Sequence, residues 1–549
     1  MRDHEGSGST LDRRRFLAGT AGVAVGAAAL AACGGNGGSS AAGSKKAVAP
    51  PTYVPYTASK PDLPAGDHGI PAGYFHYPAN PPTFIKHPMG TGGSISFMLQ
   101  ADSVMKPQGR NRWWQALNQA THTTLKVNTT PSADYTQKFQ VAVAGGDIPD
   151  VLQVQTVANM PQVLEKEFAD LSDYLSGDKV KAYPGLASIP TAAWQICMVN
   201  GRIWGIPQAR TGAGNIASTR GDLLKKFGVG ENSPEINNGQ DFIDLCKQLS
   251  DSKRGKYAIG EQPNTWILQA MLEMLGAPNG WKERGGKLTS SNETDQMKAA
   301  LEQVTNLWKS GCVHPDSFTN PGENFTWWSG GVTAIYFQNI AGWPNYAKTY
   351  PQWNIGVVTL PKWDGGGPAN KQLSVSGYGA YAGLKNAKPD RIKEILRVLD
   401  FFAAPFGTKE YVTMNYGAAD ADYTLKGADP VPTPAAQSEY PQGLLYCGSQ
   451  EYVNIYVPGN EAAVRAEHDY LTKVLPTGVA NPTWGLYSET LETKGATANQ
   501  TLLSAQSDII QGRRKLSEWD SIVKAWRQQA GDAMRGEYEK AYADLHSGH

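Results

Sequence analysis

The sequence predicts a mixed α/β protein with two lobes, and three observations carry that expectation. A β–α–β–α–β order can be read between Ser94 and Gln155. A long helical stretch follows from Arg220 to Ser310, and strand-like runs then return. At 549 residues the chain also exceeds what one hydrophobic core usually serves.

The elements follow in order. Ile95 to Leu99 is a short apolar run that suits a buried strand. Arg110 to Thr121 places Trp113, Leu117 and Ala120 on one helical face, and Leu125 to Thr129 reads as a second strand. Asp134 is positioned to cap a helix carrying Tyr135, Phe139 and Val143 at i, i+4 and i+8. Gly145-Gly146 ends that helix by accepting left-handed dihedrals, and Val151 to Gln155 is a third strand. This order implies a parallel sheet with helices on its faces, whose ligands sit beyond the carboxyl ends of the strands. Gln100, Asp102, Gln155 and Thr156 occupy those ends. Asn200-Gly201 is a hairpin turn between Met198-Val199 and Ile203-Trp204.

Met297, Leu301, Val304 and Trp308 mark the clearest later helix. Strands return at Val332 to Phe337, Asn354 to Leu360 and Ser374 to Leu384. Pro389 then opens a helix with Ile392, Ile395, Leu396, Leu399 and Phe402 inward, and the C-terminal quarter is helical.

The N-terminus says where the chain works. Arg13, Arg14 and Arg15 form a cationic start, Phe16 to Ala32 is weakly apolar, and Cys33 follows small residues. The arrangement resembles a twin-arginine export signal fused to a bacterial lipobox, with Asp12 and Ala18 departing from the usual pattern. The resemblance implies export of the folded chain and acylation of Cys33, which anchors the protein to the membrane's outer face. A spanning helix is the weaker reading, because Ala and Gly contribute little transfer free energy. Gly34 to Ala49 reads as a tether, and the Pro/Gly-dense stretch to Gly93 as an extended wrap.

Composition excludes several classes. Removing Arg2, Arg13, Arg14, Arg15, Asp3, Glu5 and Asp12 from fifty residues of each sign leaves 46 basic and 47 acidic. A near-neutral chain without a basic stripe does not suit nucleic acid. Cys197, Cys246, Cys312 and Cys447 are scattered and lack metal-ligand spacing, and folding before export favours buried free thiols. No HExxH, Walker loop or GxSxG elbow is present, so no cofactor or metal is expected. A glycoside hydrolase needs only two facing carboxylates and has no short signature. It is the family resemblance described next that implies a protein that is not an enzyme. Asp420-Ala-Asp422 reads as a solvated turn.

Several phrases together resemble one family. They are Tyr135-x-x-Lys-Phe with Ala144-Gly-Gly-Asp-Ile-Pro-Asp-Val, Phe168-Ala-Asp-Leu, and Val199-Asn-Gly-Arg-Ile-Trp-Gly-Ile-Pro. Arg220-x-Asp-Leu-Leu-x-x-Phe-Gly, Gly330-Gly-Val-Thr-Ala-Ile and Asp508-Ile-Ile-x-Gly with Leu516-Ser-x-Trp complete the set. From Ser94 to Leu545 the chain looks like an extracellular solute-binding protein of the maltose-binding kind, similar to the LplA-type oligosaccharide-binding lipoproteins. The resemblance implies a two-lobed, type II periplasmic-binding-protein-like fold with a hinge and an interlobe ligand cleft. It places a signal at 1–32, a tether and wrap at 33–93, lobe 1 at 94–214, lobe 2 at 215–376, and returning segments at 377–549. Crossings are expected near Thr211 to Ala217 and near Leu373 to Tyr378. The implied partners are an oligosaccharide and the permease subunits of an ABC importer, with the protein acting as a monomer. Peptides or sugar acids are alternative ligands, and an exported glycoside hydrolase or a surface adhesion lipoprotein are alternative functions.

Sugars need flat aromatic platforms and short polar side chains. Trp343 follows a strand end where the maltose-binding pattern places a platform. Trp327 and Trp328 precede that strand, and Trp266 lies in a loop opening a helix. Tyr378 and Tyr416 sit beside glycines, and Gln338 follows the same strand as Trp343. With Asp102 and Gln155 these form the expected ligand-binding set. Trp113, Trp308, Trp519 and Trp526 read as core, and Arg220 with Asp222 as a salt bridge beside the hinge.

Overall fold

The computed structural model describes residues 47–101, 105–230 and 232–546, apart from the side chains of Tyr378 and His546. Arg13, Arg14, Cys33 and Asp102 lie outside the described residues. The strands in chain order are β1 (Gly73–Tyr74), β2 (Ser94–Gln100), β3 (Thr124–Thr130), β4 (Val151–Val154), β5 (Met198–Val199) and β6 (Arg202–Ile203). β7 (Ile206–Ala209), β8 (Asn215–Arg220), β9 (Tyr257–Ile259), β10 (Trp281–Arg284), β11 (Lys287–Ser290) and β12 (Thr333–Asn339) follow. β13 (Ile355–Val358), β14 (Gly377–Leu384), β15 (Tyr423–Lys426), β16 (Asp429–Pro432) and β17 (Ile455–Tyr456) complete them.

Two sheets organise two lobes. The lobe 1 sheet has the order β3-β2-β4-β14-β7, and the lobe 2 sheet has the order β13-β8-β12-β9. As the β–α–β–α–β reading requires, β2 pairs in parallel with both β3 and β4. The helix Arg112–Thr121 buries Trp113, Trp114 and Leu117, and its N-cap is Asn111, whose side chain accepts from the Trp114 N–H. The next helix, Ser132–Gly145, buries Tyr135, Phe139 and Val143. Asp134 does not cap it, because the helix begins two residues earlier, after Pro131; the carboxylate instead lies in the first turn. Gly146 ends it at φ +68°. Asn200 (φ 50°) and Gly201 (φ 70°) form the predicted tight turn between β5 and β6, two successive left-handed residues that Asn and Gly tolerate.

Helices cover both sheets and bury separate cores. In lobe 1, Phe97, Leu99, Leu125, Phe139, Leu152, Leu396 and Phe402 are enclosed together. In lobe 2, Phe242, Ile259, Met271, Leu301 and Phe337 pack with the C-terminal residues Ile509, Trp519, Val523 and Trp526. The other face of the lobe 2 sheet holds Ile216, Trp343, Ile355, Tyr470 and Leu471. The N-terminal wrap pairs β1 with β17 in parallel and buries Tyr74 and Tyr77 against Phe406, Tyr411 and Tyr416. Cys197, Cys246, Cys312 and Cys447 are buried free thiols. Among the described residues no helix is long and apolar enough to cross a membrane.

Candidate functional site

Strand direction places the site. In lobe 1, the parallel strands β2, β3 and β4 end at Gln100, Thr130 and Val154. β7, antiparallel to β14 and so parallel to β4, ends beside them at Ala209. The chain then enters lobe 2 at Asn215. β12 runs back along β8 with Asn339 opposite Asn215, and β9 runs parallel to β12. The carboxyl ends of β9 and β12 therefore share the edge at which the chain arrives from lobe 1. Both sheets present strand ends to the interlobe region, where α/β proteins bind ligands.

On the lobe 1 edge, the Gln155 amide donates to Gln100 Oε1 at 3.4 Å, and Gln153 Oε1 accepts from the Gln100 N–H at 2.9 Å. Arg210 donates from Nη2 to Gln208 Oε1 at 3.1 Å, and its guanidinium lies 4.9 Å over the Tyr452 ring. The Tyr452 hydroxyl accepts from Asn345 Nδ2 of lobe 2 at 3.4 Å. Tyr440 donates to Glu451 Oε2 at 3.4 Å, and Gln442 donates to the Tyr446 hydroxyl at 2.9 Å. Burial, reinforced by the Glu451 charge, keeps the Tyr440 and Tyr452 phenols protonated well above the ordinary tyrosine range. Sequence reasoning missed Arg210, Tyr440, Tyr446 and Tyr452. The signal available was the density of tyrosines among turn residues from Tyr440 to Tyr456.

On the lobe 2 edge, Glu261 follows β9 and accepts the Phe337 N–H at 2.8 Å, taking the place of a strand partner that β9 no longer supplies. Its other oxygen has no partner, and burial pushes the carboxyl up to about 8. Trp266 lies in the single π-helical turn Pro263–Ile267, beside Thr265 at φ −113°, ψ −108°. The half-buried Trp266 ring lines a crevice with Asn215, Gln269, Leu360 and Lys371, where Asn215 donates to Gln269 Oε1 at 2.9 Å.

Several expected residues are placed elsewhere. Trp343 is not an exposed platform: the helix Gly342–Thr349 turns its ring into lobe 2, fully buried and 6.2 Å from Tyr470. Trp327 and Trp328 sit at the amino end of β12, about 20 Å along the strand from its interlobe end at ~3.3 Å per residue. They lie on a short helix, not an extended segment. Trp328 is fully buried against Tyr336 and Trp353, and Trp327 stacks on His314 at 3.8 Å. Gln338 is buried, its amide donating to Ser218 Oγ at 2.7 Å. Tyr416 is enclosed by the wrap's aromatic cluster, although Lys348 Nζ of lobe 2 lies 5.8 Å from its ring. Gln155 and the backbone of Tyr378 lie at the lobe 1 edge. Arg220 and Asp222 form their ion pair at 2.8 Å, but at the far end of β8 from the crossing. Asp422 is buried, not solvated, because it closes its own turn by accepting the Ala418 N–H at 2.9 Å.

Two sheets joined by crossings, with strand ends facing a shared region, define a two-lobed binding-protein scaffold. Residues 113–436 match the family model described as bacterial extracellular solute-binding protein. The chain belongs to that family. It is 22% identical over 484 residues to "Lipoprotein LipO" of Bacillus subtilis strain 168, covering 82% of this chain and 93% of that one. It is 20% identical over 452 residues to "Polygalacturonan/rhamnogalacturonan-binding protein YtcQ" of the same strain, covering 79% and 88%. Among solved structures, the alginate-binding protein AlgQ2 without calcium matches with a TM-score of 0.58 at 15% identity, covering 84% of this chain and all of that one. The N-glycan transport solute-binding protein NgtS of Streptococcus pneumoniae matches with a TM-score of 0.60 at 13% identity, covering 82% and 99%. These structures share the two-lobed fold.

Proposed function

We propose that this chain captures an oligosaccharide between its lobes outside the membrane and delivers it to the permease of an ABC importer. The observation that carries this reading is the pair of facing strand-end edges lined by aromatic and amide side chains. Tyr440, Tyr452 and Trp266 offer flat apolar faces for sugar C–H groups, while Gln155, Gln269 and Asn215 offer short hydrogen-bonding groups for hydroxyls. Asp102 and Tyr378, at the same edge by sequence position, complete the proposed contact set. The relatives support a carbohydrate: one is named for polygalacturonan and rhamnogalacturonan, and structural neighbours are named for alginate and N-glycan. Acylation of Cys33 after twin-arginine export would hold the protein at the outer membrane face while its body moves in water. Capture without chemical change separates this role from a hydrolase.

The test is a thermal-shift panel of neutral and uronic oligosaccharides on protein first unfolded and refolded to strip ligand. At about 100 times Kd, a ligand of the native state adds ~2.7 kcal/mol of apparent stability. At least one sugar should raise the melting temperature and be recovered intact. A flat response across the panel rejects oligosaccharide capture, and cleavage of the sugar supports the hydrolase.

A further inference from the structure

The segment after the helix Glu461–Val474 runs across both lobes. Val479 pairs with Gln372 and accepts the Leu373 N–H at 3.0 Å, so the segment starts alongside the second crossing. Gly485 then passes over the carbonyls of Gln195 and Met198 in lobe 1. Tyr487 packs on the lobe 1 core, whereas Leu486 and Leu491 on either side pack on the lobe 2 core.

The polar contacts follow the same division. The Tyr487 hydroxyl accepts the Met160 N–H at 3.3 Å, and Glu489 Oε2 accepts the Asn159 N–H at 3.1 Å. Both donors lie at the start of the helix Met160–Glu167, which follows the Gln155 edge of the site. The first N–H groups of a helix lack intrahelical partners and attract negative charge, so a carboxylate is a suitable acceptor there. Tyr487 also donates to Glu489, tying the two acceptors together. Flanking residues are held by lobe 2: Ser488 Oγ and Thr490 Oγ1 donate to the Glu537 carboxylate at 2.5 and 2.6 Å, and the Thr490 N–H donates at 3.1 Å.

We infer that Tyr487 and Glu489 form a latch that holds the two lobes together beside the ligand site, with Glu537 as its anchor on lobe 2. The latch rests on the reading that the lobes move relative to one another. It adds a protein-encoded contribution to closure that ligand need not supply, so it sets how readily the ligand-free site opens.

The latch can be broken on either side without touching the strand ends. Glu489→Ala removes the carboxylate's contact with lobe 1, and Glu537→Ala removes the strap's polar anchor on lobe 2 while Leu486 and Leu491 stay packed there. Small-angle scattering on the ligand-free full-length protein should show an increased radius of gyration for both variants, with secondary structure unchanged by circular dichroism. Tyr487→Phe, which keeps the packing but loses the hydroxyl, should give a smaller increase. A radius of gyration equal to wild type in both alanine variants overturns the latch, and does so independently of whether any sugar binds. An increase in Glu537→Ala alone also overturns it, because the lobe 1 contact of Glu489 would then not hold the lobes together.

Discussion

Lys371 Nζ lies 3.0 Å from both carboxylate oxygens of Glu273, and the two side chains are only 5% and 3% exposed. Lys371 belongs to the segment leading into the second crossing, and Glu273 to a helix of lobe 2. Lys371 also donates to the Asn215 carbonyl at 2.5 Å, where the first crossing enters β8. The pair joins both crossings to lobe 2 at one buried point.

Removing one member of a buried pair strands the other charge. Lys371→Met should cost ~3–5 kcal/mol of folding stability, and adding Glu273→Leu should recover much of it. Chemical denaturation of the two single variants and the double variant checks this. Additive losses would show that the pair does not act as a unit.

Two buried carboxyls predict the pH dependence of stability. Burial pushes Glu261 and Glu467 from 4.5 up to about 8, and Glu467 has an oxygen without a partner in the small cavity it lines with Thr211, Tyr452 and Asn454. The folded protein keeps these protons to higher pH than the unfolded chain does, so the unfolded state binds fewer protons between the two values. The stability these two groups contribute is therefore fully present below about pH 4.5 and is lost as pH rises to about 8, by at most roughly 1.4 kcal/mol per pH unit for each group. Glu467→Gln should flatten part of this slope in denaturant midpoints measured from pH 5 to 8. An unchanged slope would place the proton loss elsewhere.

Trp343 and Trp266 should separate stability from binding. Trp343→Ala removes a fully buried ring and should cost ~3–5 kcal/mol of stability in the ligand-free protein. Trp266→Ala removes a half-buried ring of the proposed contact set and should weaken sugar binding by ~2 kcal/mol, about thirtyfold in Kd, with a smaller change in melting temperature. Titration calorimetry beside thermal melts of each variant distinguishes the two roles.

At the membrane, Cys33→Ser should release the exported protein in folded form, as fractionation would show. Arg13→Lys with Arg14→Lys should impair export and leave folded protein in the cytoplasm. Efficient export of that pair would point to a general secretory route.

Local periodicity made much of lobe 1 legible. Tyr135, Phe139 and Val143 at helical spacing were buried as expected, and the apolar runs at Ile95, Leu125 and Val151 became three parallel strands. Gly146 and Asn200-Gly201 marked chain reversals because Gly and Asn accept left-handed dihedrals at little steric cost. The site was less legible. Trp343 and Trp328 share with Trp266 the size and composition of a platform, and sequence spacing does not tell which way a ring turns after a strand. That direction depends on neighbours distant in the chain: Tyr470 receives Trp343, and Tyr336 and Trp353 receive Trp328. Arg210 and Tyr452 are 242 positions apart and meet only where the crossings come together.

What the sequence determined by itself was the class of fold, the family resemblance and the buried state of the thiols, since these rest on short-range pattern and composition. Which side chains line the interlobe edge was decided only by tertiary structure. A binding surface between lobes gathers residues from several crossings and strand ends, and their orientation is set by the packing of whole elements, not by neighbours in the chain.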